Sequence, residues 1–134
     1  MAAPAQAALI QAALGARDQA YAPYSHFSVG AAVMARDGRI FAGVNVENAS
    51  YPLTVCAERN AIAAAVLAGA RELVAVAVAT AVSPPSAPCG GCRQVIAEFA
   101  RETTILLVNP EGERVETTLG ELLPRAFRGE ELAP

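Results

Sequence analysis

The chain has 134 residues, a formal net charge of -3 at pH 7 and a hydrophobic fraction of 54%. A chain of this length forms one domain, which we expect to span residues 1–134. The net negative charge argues against a nucleic-acid partner, because domains that bind nucleic acids carry a basic patch. The apolar runs are too short to cross a bilayer. All ten basic residues are arginine, which excludes a lysine nucleophile or Schiff base.

The first third of the chain predicts a helix followed by a hairpin. Apolar residues recur at helical spacing over residues 4–20 and stop before Pro23, so an amphipathic helix should cover a sheet there. Residues 27–35 and 39–46 are rich in β-prone side chains. They flank Gly38, whose tolerance of positive φ suits a tight turn, and we expect them to form a hairpin that opens the sheet.

The middle of the chain predicts a buried helix and a buried strand. Residues 55–68 are dominated by Ala, Ile and Leu and end at Gly69, a common helix C-cap. Residues 73–81 form a continuous Val and Ala run, which is typical of a strand covered on both faces. The Ser- and Pro-rich residues 83–86 then predict a loop.

The last third predicts a second cysteine-bearing helix and two more strands. Apolar residues recur every three or four positions over residues 89–99, which indicates a helix. Residues 104–108 predict a strand, 114–117 a weaker edge strand and 119–123 a short helix. We expect residues 124–134 to form a tail that packs on the surface of another part of the protein.

The order of these elements predicts the fold class. Helix, hairpin, helix, strand, helix, strand, strand and helix together predict an α/β fold, a three-layer sandwich in which a mixed five-stranded sheet has helices on both faces. Each cysteine-bearing helix follows a strand region. We therefore expect the N-termini of these two helices to converge at one edge of the sheet.

The three cysteines carry the strongest chemical signal. Cys56 begins the sequence Cys-Ala-Glu-Arg, and Cys89 and Cys92 lie in Pro-Cys-Gly-Gly-Cys. The spacing of the pair at a helix start brings both sulfurs within reach of one ion, and Cys56 would supply a third ligand. Three ligands are one short of a closed structural zinc site and leave a place for water, as in catalytic sites. The alternative is a redox or structural role for an isolated CxxC pair.

Three other residues, Glu58, Arg59 and His26, have side chains that could act at this metal. Glu58 is better placed for general acid/base catalysis than for zinc ligation. The alternative is that Glu58 only complements the dipole of its helix. Arg59 is expected to donate to the ligand sulfurs and offset the net negative charge of three thiolates on Zn²⁺; otherwise it is a solvated surface charge. His26, the only histidine, has no spacing that supports ligation, and we interpret it as a loop residue.

These motifs closely resemble those of the small homotetrameric cytidine deaminases of the three-cysteine zinc type. The resemblance covers residues 21–132, and its most specific segments begin at Phe27, Asn45, Cys56 and Pro88. It implies hydrolytic deamination of cytidine and deoxycytidine to uridine and deoxyuridine, with one Zn²⁺ per chain. A zinc-activated water would attack C4 of the base, and Glu58 would be the proton shuttle.

The resemblance also implies the substrate contacts. It predicts that the Phe27 ring stacks on the pyrimidine and that the Ala57 backbone contacts the base edge. It also predicts that Asn45 and Glu47 bind the ribose hydroxyls. Tyr51 and Phe127 correspond to residues that complete the sites of neighbouring subunits in a homotetramer, and plain packing is the alternative for both. Ser28 replaces a more common proline and removes no functional group.

Two rival functions share parts of this pattern. A deaminase of another aminopyrimidine nucleoside would have the same fold, but the Phe27 stack and the ribose pair favour pyrimidine nucleosides. A non-enzymatic zinc module is disfavoured by the missing fourth ligand and the acidic charge. The odd number of cysteines and the absence of a basic signal after Met1 predict a cytoplasmic protein. The resemblance implies a role in pyrimidine salvage with a small-molecule substrate.

Overall fold

The computed structural model describes residues 1–132. Its helices and strands, in chain order, are α1 (Ala3–Arg17), β1 (Gly30–Ala35), β2 (Ile40–Val44), α2 (Ala57–Leu67), β3 (Leu73–Ala79), α3 (Gly90–Phe99), β4 (Thr104–Val108), β5 (Arg114–Thr118) and α4 (Leu119–Leu122). Short 3-10 turns lie at Tyr51–Leu53 and Gly129–Leu132. Within residues 1–132, no helix combines the length and the apolar character needed to cross a membrane.

All five strands belong to one mixed sheet with the order β2-β1-β3-β4-β5. β1 pairs antiparallel with β2 and with β3, β3 pairs parallel with β4, and β4 pairs antiparallel with β5. The parallel pair is joined through α3, because strands that run in the same direction need a crossover connection. The predicted mixed five-stranded sheet is confirmed.

Helices cover both faces of this sheet, as the sequence predicts. On one face, α1 packs with Leu9 and Ala13 against small side chains of β1 and β3. On the other face, α2 and α3 pack with residues such as Ile62 and Ile96 against the opposite side chains of the same strands. β1 is buried along its whole length and β3 almost so. This double coverage explains why the strand sequences are continuously apolar rather than alternating.

Two glycines allow helix backbones to approach the sheet closely. A methyl group at Gly43 in β2 would lie 2.3 Å from the backbone nitrogen of Ala61 and 2.7 Å from the carbonyl oxygen of Ala57, both in α2. On the opposite face, a methyl group at Gly30 would lie 2.1 Å from the carbonyl oxygen of Ala13 in α1. Backbone atoms cannot rotate away from such a contact. Gly43 therefore sets how closely the N-terminal half of α2 lies on the sheet.

Several elements are shorter than predicted, for local reasons. β1 begins at Gly30 rather than at Phe27, because a side-chain amide rather than a neighbouring strand holds the residues before it. α1 ends at Arg17 rather than at residue 20, since the next three amides close tight turns. α2 stops before Gly69, whose φ of +93° matches its predicted role as C-cap.

The tail after α4 lies along α3. The Gln94 side chain donates to the carbonyl oxygen of Phe127 at 2.7 Å and accepts from the N–H of Phe127 at 3.3 Å. Arg128 donates to the carbonyl oxygen of Ala100 at 2.9 Å. The surface that the predicted tail needs is therefore α3, and the last two residues of the predicted tail lie outside the described part of the chain.

Candidate metal centre

The two cysteine clusters lie at the N-termini of two helices. Cys56 is the N-cap of α2 and Cys89 is the N-cap of α3, both with extended backbone conformation. The Cys89 sulfur accepts a hydrogen bond from the backbone N–H of Cys92 at 3.5 Å. Cysteine thus occupies the position at which Ser, Thr, Asp or Asn is usual. The positive end of each helix dipole favours a thiolate at this position.

The three cysteine sulfurs form one cluster. The sulfurs of Cys56, Cys89 and Cys92 all lie within 4.8 Å of one another. Three sulfurs bound at about 2.3 Å in tetrahedral geometry are roughly 3.8 Å apart, so small side-chain movements are enough to hold one Zn²⁺. Three protein ligands leave a fourth position open, which is the arrangement of catalytic zinc. The two helix N-termini therefore converge as the sequence predicts.

The cysteine thiols differ in their acidity. The pKa of Cys89 is lowered, chiefly because the backbone N–H of Cys92 donates to its sulfur. Burial raises the pKa of Cys92, and the charge of Glu58 acts in the same direction. Metal coordination requires thiolates, so a bound cation must overcome this effect at Cys92 and releases protons when it binds.

Glu58 lies in the first turn of α2, two residues after Cys56. Its side chain is buried, with a residue exposure of 5%. Burial raises the pKa of Glu58, while the Arg59 charge and the Cys92 thiol act in the opposite direction. A carboxyl group whose pKa is shifted towards neutrality is well suited to accept and return a proton.

The cysteines and Glu58 line a pocket of about 330 Å³, which we call the cysteine pocket. This volume lies within the usual range for small-molecule sites. Ala57 lines the pocket at the start of α2, where backbone N–H groups have no acceptor within the helix. The remaining lining residues are Phe27, Val29, Asn45, Thr54, Val78, Thr80, Ser86 and Ala87.

A larger pocket of about 680 Å³ lies elsewhere and contains none of the cysteines. Its charged lining residues are three arginines and three glutamates: Arg36, Arg71, Arg101, Glu72, Glu98 and Glu102. These charges balance, and Arg36 already pairs with Glu72. The chemistry of the side chains therefore identifies the smaller cysteine pocket as the candidate site, although the other pocket has the greater volume.

Asn45 holds the loop that carries Phe27. Asn45 follows β2 and is buried; its Oδ1 accepts from the N–H of Val29 at 2.9 Å, and its amide donates to the carbonyl oxygen of Phe27 at 2.8 Å. Phe27 is 39% exposed and lines the cysteine pocket. The residue predicted to bind ribose therefore also positions the predicted stacking aromatic, which the sequence did not indicate.

Glu47 and Tyr51 line an adjoining pocket of about 360 Å³, which shares Thr54 with the cysteine pocket. The Glu47 carboxylate accepts from the N–H groups of Tyr24 and Ser25, at 3.0 and 3.1 Å, and from the Ser25 hydroxyl. These bonds, that of the Ser25 side chain foremost, lower the pKa of Glu47 and keep it ionised. Tyr51 is exposed and packs edge-to-face on Tyr24, with ring centroids 6.2 Å apart.

The remaining predicted residues lie outside both pockets. Arg59 is exposed, and its guanidinium donates to the carbonyl oxygen of Thr54 at 3.4 Å rather than to a sulfur. Phe127 is 55% exposed beside the C-terminal half of α3, so the fold of one chain does not bring it to the cysteines. His26 lies in an exposed loop with φ of 59° and is not part of the sulfur cluster.

The cysteine pocket also has a polar wall that was not predicted from the sequence. Thr80 follows β3 and is buried, and its hydroxyl accepts a hydrogen bond from the N–H of Ser86 at 3.2 Å. This bond ties the loop that precedes Pro88 to the end of β3. A signal for Thr80 did exist, because it is the polar residue near the end of an apolar strand, where sites of α/β folds are found.

Comparisons with known proteins agree with this geometry. The sequence profile of the cytidine and deoxycytidylate deaminase zinc-binding region matches residues 4–108. A cytidine deaminase of Halalkalibacterium halodurans is 49% identical over 125 residues, which are 92% of this chain and 95% of that protein. One from Sporosarcina psychrophila is 49% identical over 126 residues, 93% of each chain.

A solved structure shows the same agreement in three dimensions. The crystal structure of cytidine deaminase from Burkholderia pseudomallei has a TM-score of 0.87 and 48% sequence identity, covering 95% of this chain and all of that one. The crystal structure of the Mycobacterium tuberculosis cytidine deaminase has a TM-score of 0.78 at 41% identity, with 91% of this chain covered and 96% of that one.

Proposed function

Because this chain belongs to the cytidine and deoxycytidylate deaminase zinc-binding family, we propose that it deaminates cytidine and deoxycytidine hydrolytically, in a zinc-dependent reaction. One water is consumed, and the products are uridine or deoxyuridine and ammonia. The observation that carries this proposal is the buried Glu58 carboxyl in the same pocket as the three clustered cysteine sulfurs.

Cys56, Cys89 and Cys92 would hold the zinc ion. When bound, the ion supplies a Lewis acid that lowers the pKa of water to near neutrality. We assign the proton transfers to Glu58, which would take one proton from the attacking water and deliver it to N3 of the base. It would then take the second proton from the hydroxyl added at C4 and pass it to the amine, so that ammonia leaves and C4 becomes a carbonyl. Its burial supports this role, because the raised pKa of Glu58 allows the carboxyl group both to accept and to donate protons.

The substrate would extend from the cysteine pocket into the adjoining pocket. The Phe27 ring is available for stacking on the pyrimidine, and the backbone of Ala57 would meet the base edge. We assign the ribose hydroxyls to Asn45 and Glu47. The Asn45 amide can form hydrogen bonds beyond the two it makes with the loop, and the Glu47 carboxylate stays ionised as an acceptor.

The charges of the two pockets favour a nucleoside over a nucleotide. Among residues 1–132, no arginine lines either pocket, and the chain contains no lysine. A phosphate group would therefore meet the ionised Glu47 without a side-chain cation lining either pocket to bind it. We expect deoxycytidylate to be a much poorer substrate than cytidine and deoxycytidine. The alternative function is deamination of another aminopyrimidine nucleoside.

We further propose a cytoplasmic homotetramer that acts in pyrimidine salvage. Tyr24 and Tyr51, which line the adjoining pocket, are exposed, and so are the apolar side chains of Tyr21, Val46 and Leu53, which are close to them in the sequence. Large apolar patches of this kind mark association surfaces. Tyr51 and the exposed Phe127 would complete the sites of neighbouring subunits, and Arg59 would turn towards the ligand sulfurs once zinc is bound. Thiolate ligands also suit a reducing compartment.

The decisive variant is Glu58→Gln. It keeps the size of the side chain and removes its ability to carry a proton, so zinc content should stay near one ion per chain while kcat falls about 10²- to 10⁴-fold. The assay follows the loss of cytidine absorbance, with zinc measured by atomic absorption. Chelator-treated wild-type protein should lose the activity as well.

A matched control is Glu98→Gln on the exposed face of α3, which changes the charge equally but lies in a pocket that contains none of the cysteines. It should retain wild-type activity. Full turnover by a zinc-loaded Glu58→Gln variant would overturn the proton shuttle. Zinc-loaded wild-type protein with no activity towards cytidine or deoxycytidine would overturn the proposed function itself.

A further inference from the structure

Arg93, the residue after Cys92, has a side chain that reaches two backbone carbonyls from different parts of the chain. Its Nε donates to the carbonyl oxygen of Pro88 at 2.8 Å, and its Nη1 donates to the carbonyl oxygen of Leu122 at 2.8 Å. Its own N–H donates to the carbonyl oxygen of Cys89 at 3.0 Å in the first turn of α3. One planar guanidinium therefore joins the start of α3 to the end of α4.

The Pro88 carbonyl belongs to the peptide that enters the ligand residue Cys89. Pro88 is fully buried, so without Arg93 its carbonyl would lose a partner that water could not readily replace. The orientation of this peptide sets the backbone conformation of Cys89, with φ of -66° and ψ of 167°. In that conformation the Cys89 sulfur lies over the helix start and accepts from the N–H of Cys92.

The other carbonyl belongs to Leu122, a partly buried residue that packs against the core. Leu122 ends α4, a helix that begins with a Thr118 side-chain cap and buries Leu119. The Leu122 side chain packs against the main hydrophobic core. Arg93 therefore ties the loop that carries Cys89 to a helix that contains none of the clustered cysteines.

Arg93 also brings a positive charge to the start of α3. Its described bonds go to carbonyl oxygens, and within residues 1–132 no carboxylate pairs with it. Three thiolates and one Zn²⁺ carry a net negative charge, which a nearby guanidinium stabilises.

We propose that Arg93 is a positioning residue of the zinc site, which holds the Pro88–Cys89 peptide against the end of α4 and so slows the loss of zinc. The inference rests on the cysteine cluster and not on the identity of the substrate. Its test therefore measures zinc and not turnover, and it can fail while the proposed deaminase activity stands.

The test measures the rate of zinc release into an excess of a chromogenic chelator. For Arg93→Gln, which cannot reach both carbonyls, we expect release about tenfold faster than in the wild type, at the lower end of the effect of groups that support metal ligands. Arg93→Lys keeps the charge but not the two-pronged geometry, so its rate should lie between the two.

Arg71→Gln provides the matched control. Arg71 also donates to two backbone carbonyls, those of Val66 at 2.8 Å and Ala70 at 3.2 Å, but at the end of α2 that lies away from Cys56. Its loss should lower the midpoint of thermal unfolding without changing zinc release.

Three results would overturn the proposal. The first is zinc release from Arg93→Gln protein at the wild-type rate. The second is faster release from Arg71→Gln protein, to the same extent as from Arg93→Gln protein, since that would show a general loosening of the fold. If Arg93→Gln fails to fold, the Arg93→Lys variant decides, and a wild-type release rate in folded Arg93→Lys protein overturns the positioning role.

Discussion

At the scale of single residues, the site depends on side chains that hold backbone as much as on those that face the pocket. Asn45 shows this most clearly. Its buried amide satisfies the N–H of Val29 and the carbonyl oxygen of Phe27, two groups that the sheet ladder does not pair. The position of the Phe27 ring therefore depends on Asn45, in addition to any contact between Asn45 and the substrate.

Replacing Asn45 by Ala should lower both stability and substrate binding. Two backbone groups lose their partners, which costs about 1–3 kcal/mol of unfolding free energy, and the displaced Phe27 should raise KM for cytidine. Chemical denaturation and steady-state kinetics measure the two effects.

Asn109→Ala is the control for this variant. Asn109 is also buried, and its side chain likewise bonds backbone groups, those of Val82 and Glu113. It should lose comparable stability with KM unchanged. A wild-type KM for Asn45→Ala would show that Asn45 neither positions Phe27 nor binds the substrate.

At the scale of elements, the metal centre is a meeting of two helix N-termini. α2 contributes Cys56 and α3 contributes Cys89 and Cys92, and each helix lies on the same face of the sheet. The distance between α2 and the sheet is set at Gly43, where the α2 backbone passes directly over the strand. A sulfur cluster within 4.8 Å leaves little room for either helix to shift.

Gly43→Ala should therefore weaken zinc binding from a position outside the pocket. The added methyl group would meet backbone atoms of α2 at 2.3 and 2.7 Å, so the helix must move. We expect a loss of about 1–3 kcal/mol in stability and a higher zinc dissociation constant, measured by chelator competition.

Gly15→Ala is the corresponding control on an exposed turn of α1, where an added methyl group meets no atom within 4 Å. It should raise stability slightly, by up to about 1 kcal/mol, and leave zinc binding unchanged. Unaltered zinc affinity in Gly43→Ala would show that the cluster tolerates movement of α2.

At the scale of the whole molecule, zinc joins segments that are far apart in sequence. Cys56 and the Cys89/Cys92 pair belong to different elements, and the start of α3 is linked through Arg93 to α4. A ligand that binds only the folded chain stabilises it in proportion to the logarithm of its free concentration.

Removal of zinc should therefore lower the thermal unfolding midpoint. At a free zinc concentration 1,000 times the dissociation constant, the stabilisation lost is about 4 kcal/mol. Differential scanning calorimetry with and without chelator measures this effect. Added Zn²⁺ should restore the midpoint and added Mg²⁺ should not, because thiolates are poor ligands for Mg²⁺. Identical midpoints with and without chelator would argue against zinc bound by the cysteines.

The exposed tail leads to a prediction about assembly. If Phe127 enters the site of a neighbouring subunit, Phe127→Ala should raise KM for cytidine about threefold to tenfold, the loss expected for an aromatic contact. Leu67→Ala, which truncates a side chain that is 90% exposed on α2, should leave KM unchanged. Sedimentation should show four subunits, and an unchanged KM for Phe127→Ala would mean that the ring only packs.

The metal chemistry and the order of elements could be read from local patterns. Cysteine count and spacing indicated three ligands, and apolar periodicity predicted each helix and strand, because both signals arise within a few neighbouring residues. The ends of β1 and α1 were less predictable. They depend on bonds between distant residues, such as those from Asn45, that no local window contains.

The sequence alone thus determined which atoms are available for chemistry: three thiols, one adjacent carboxyl and no lysine. Only the tertiary structure decided that the sulfurs meet within 4.8 Å, that Glu58 is buried beside them and that Arg93 bridges α3 to α4. The physical reason is that donor type is a covalent property of each residue. Distance, burial and the pKa shifts that follow from them exist only once the sheet has brought the two helix starts together.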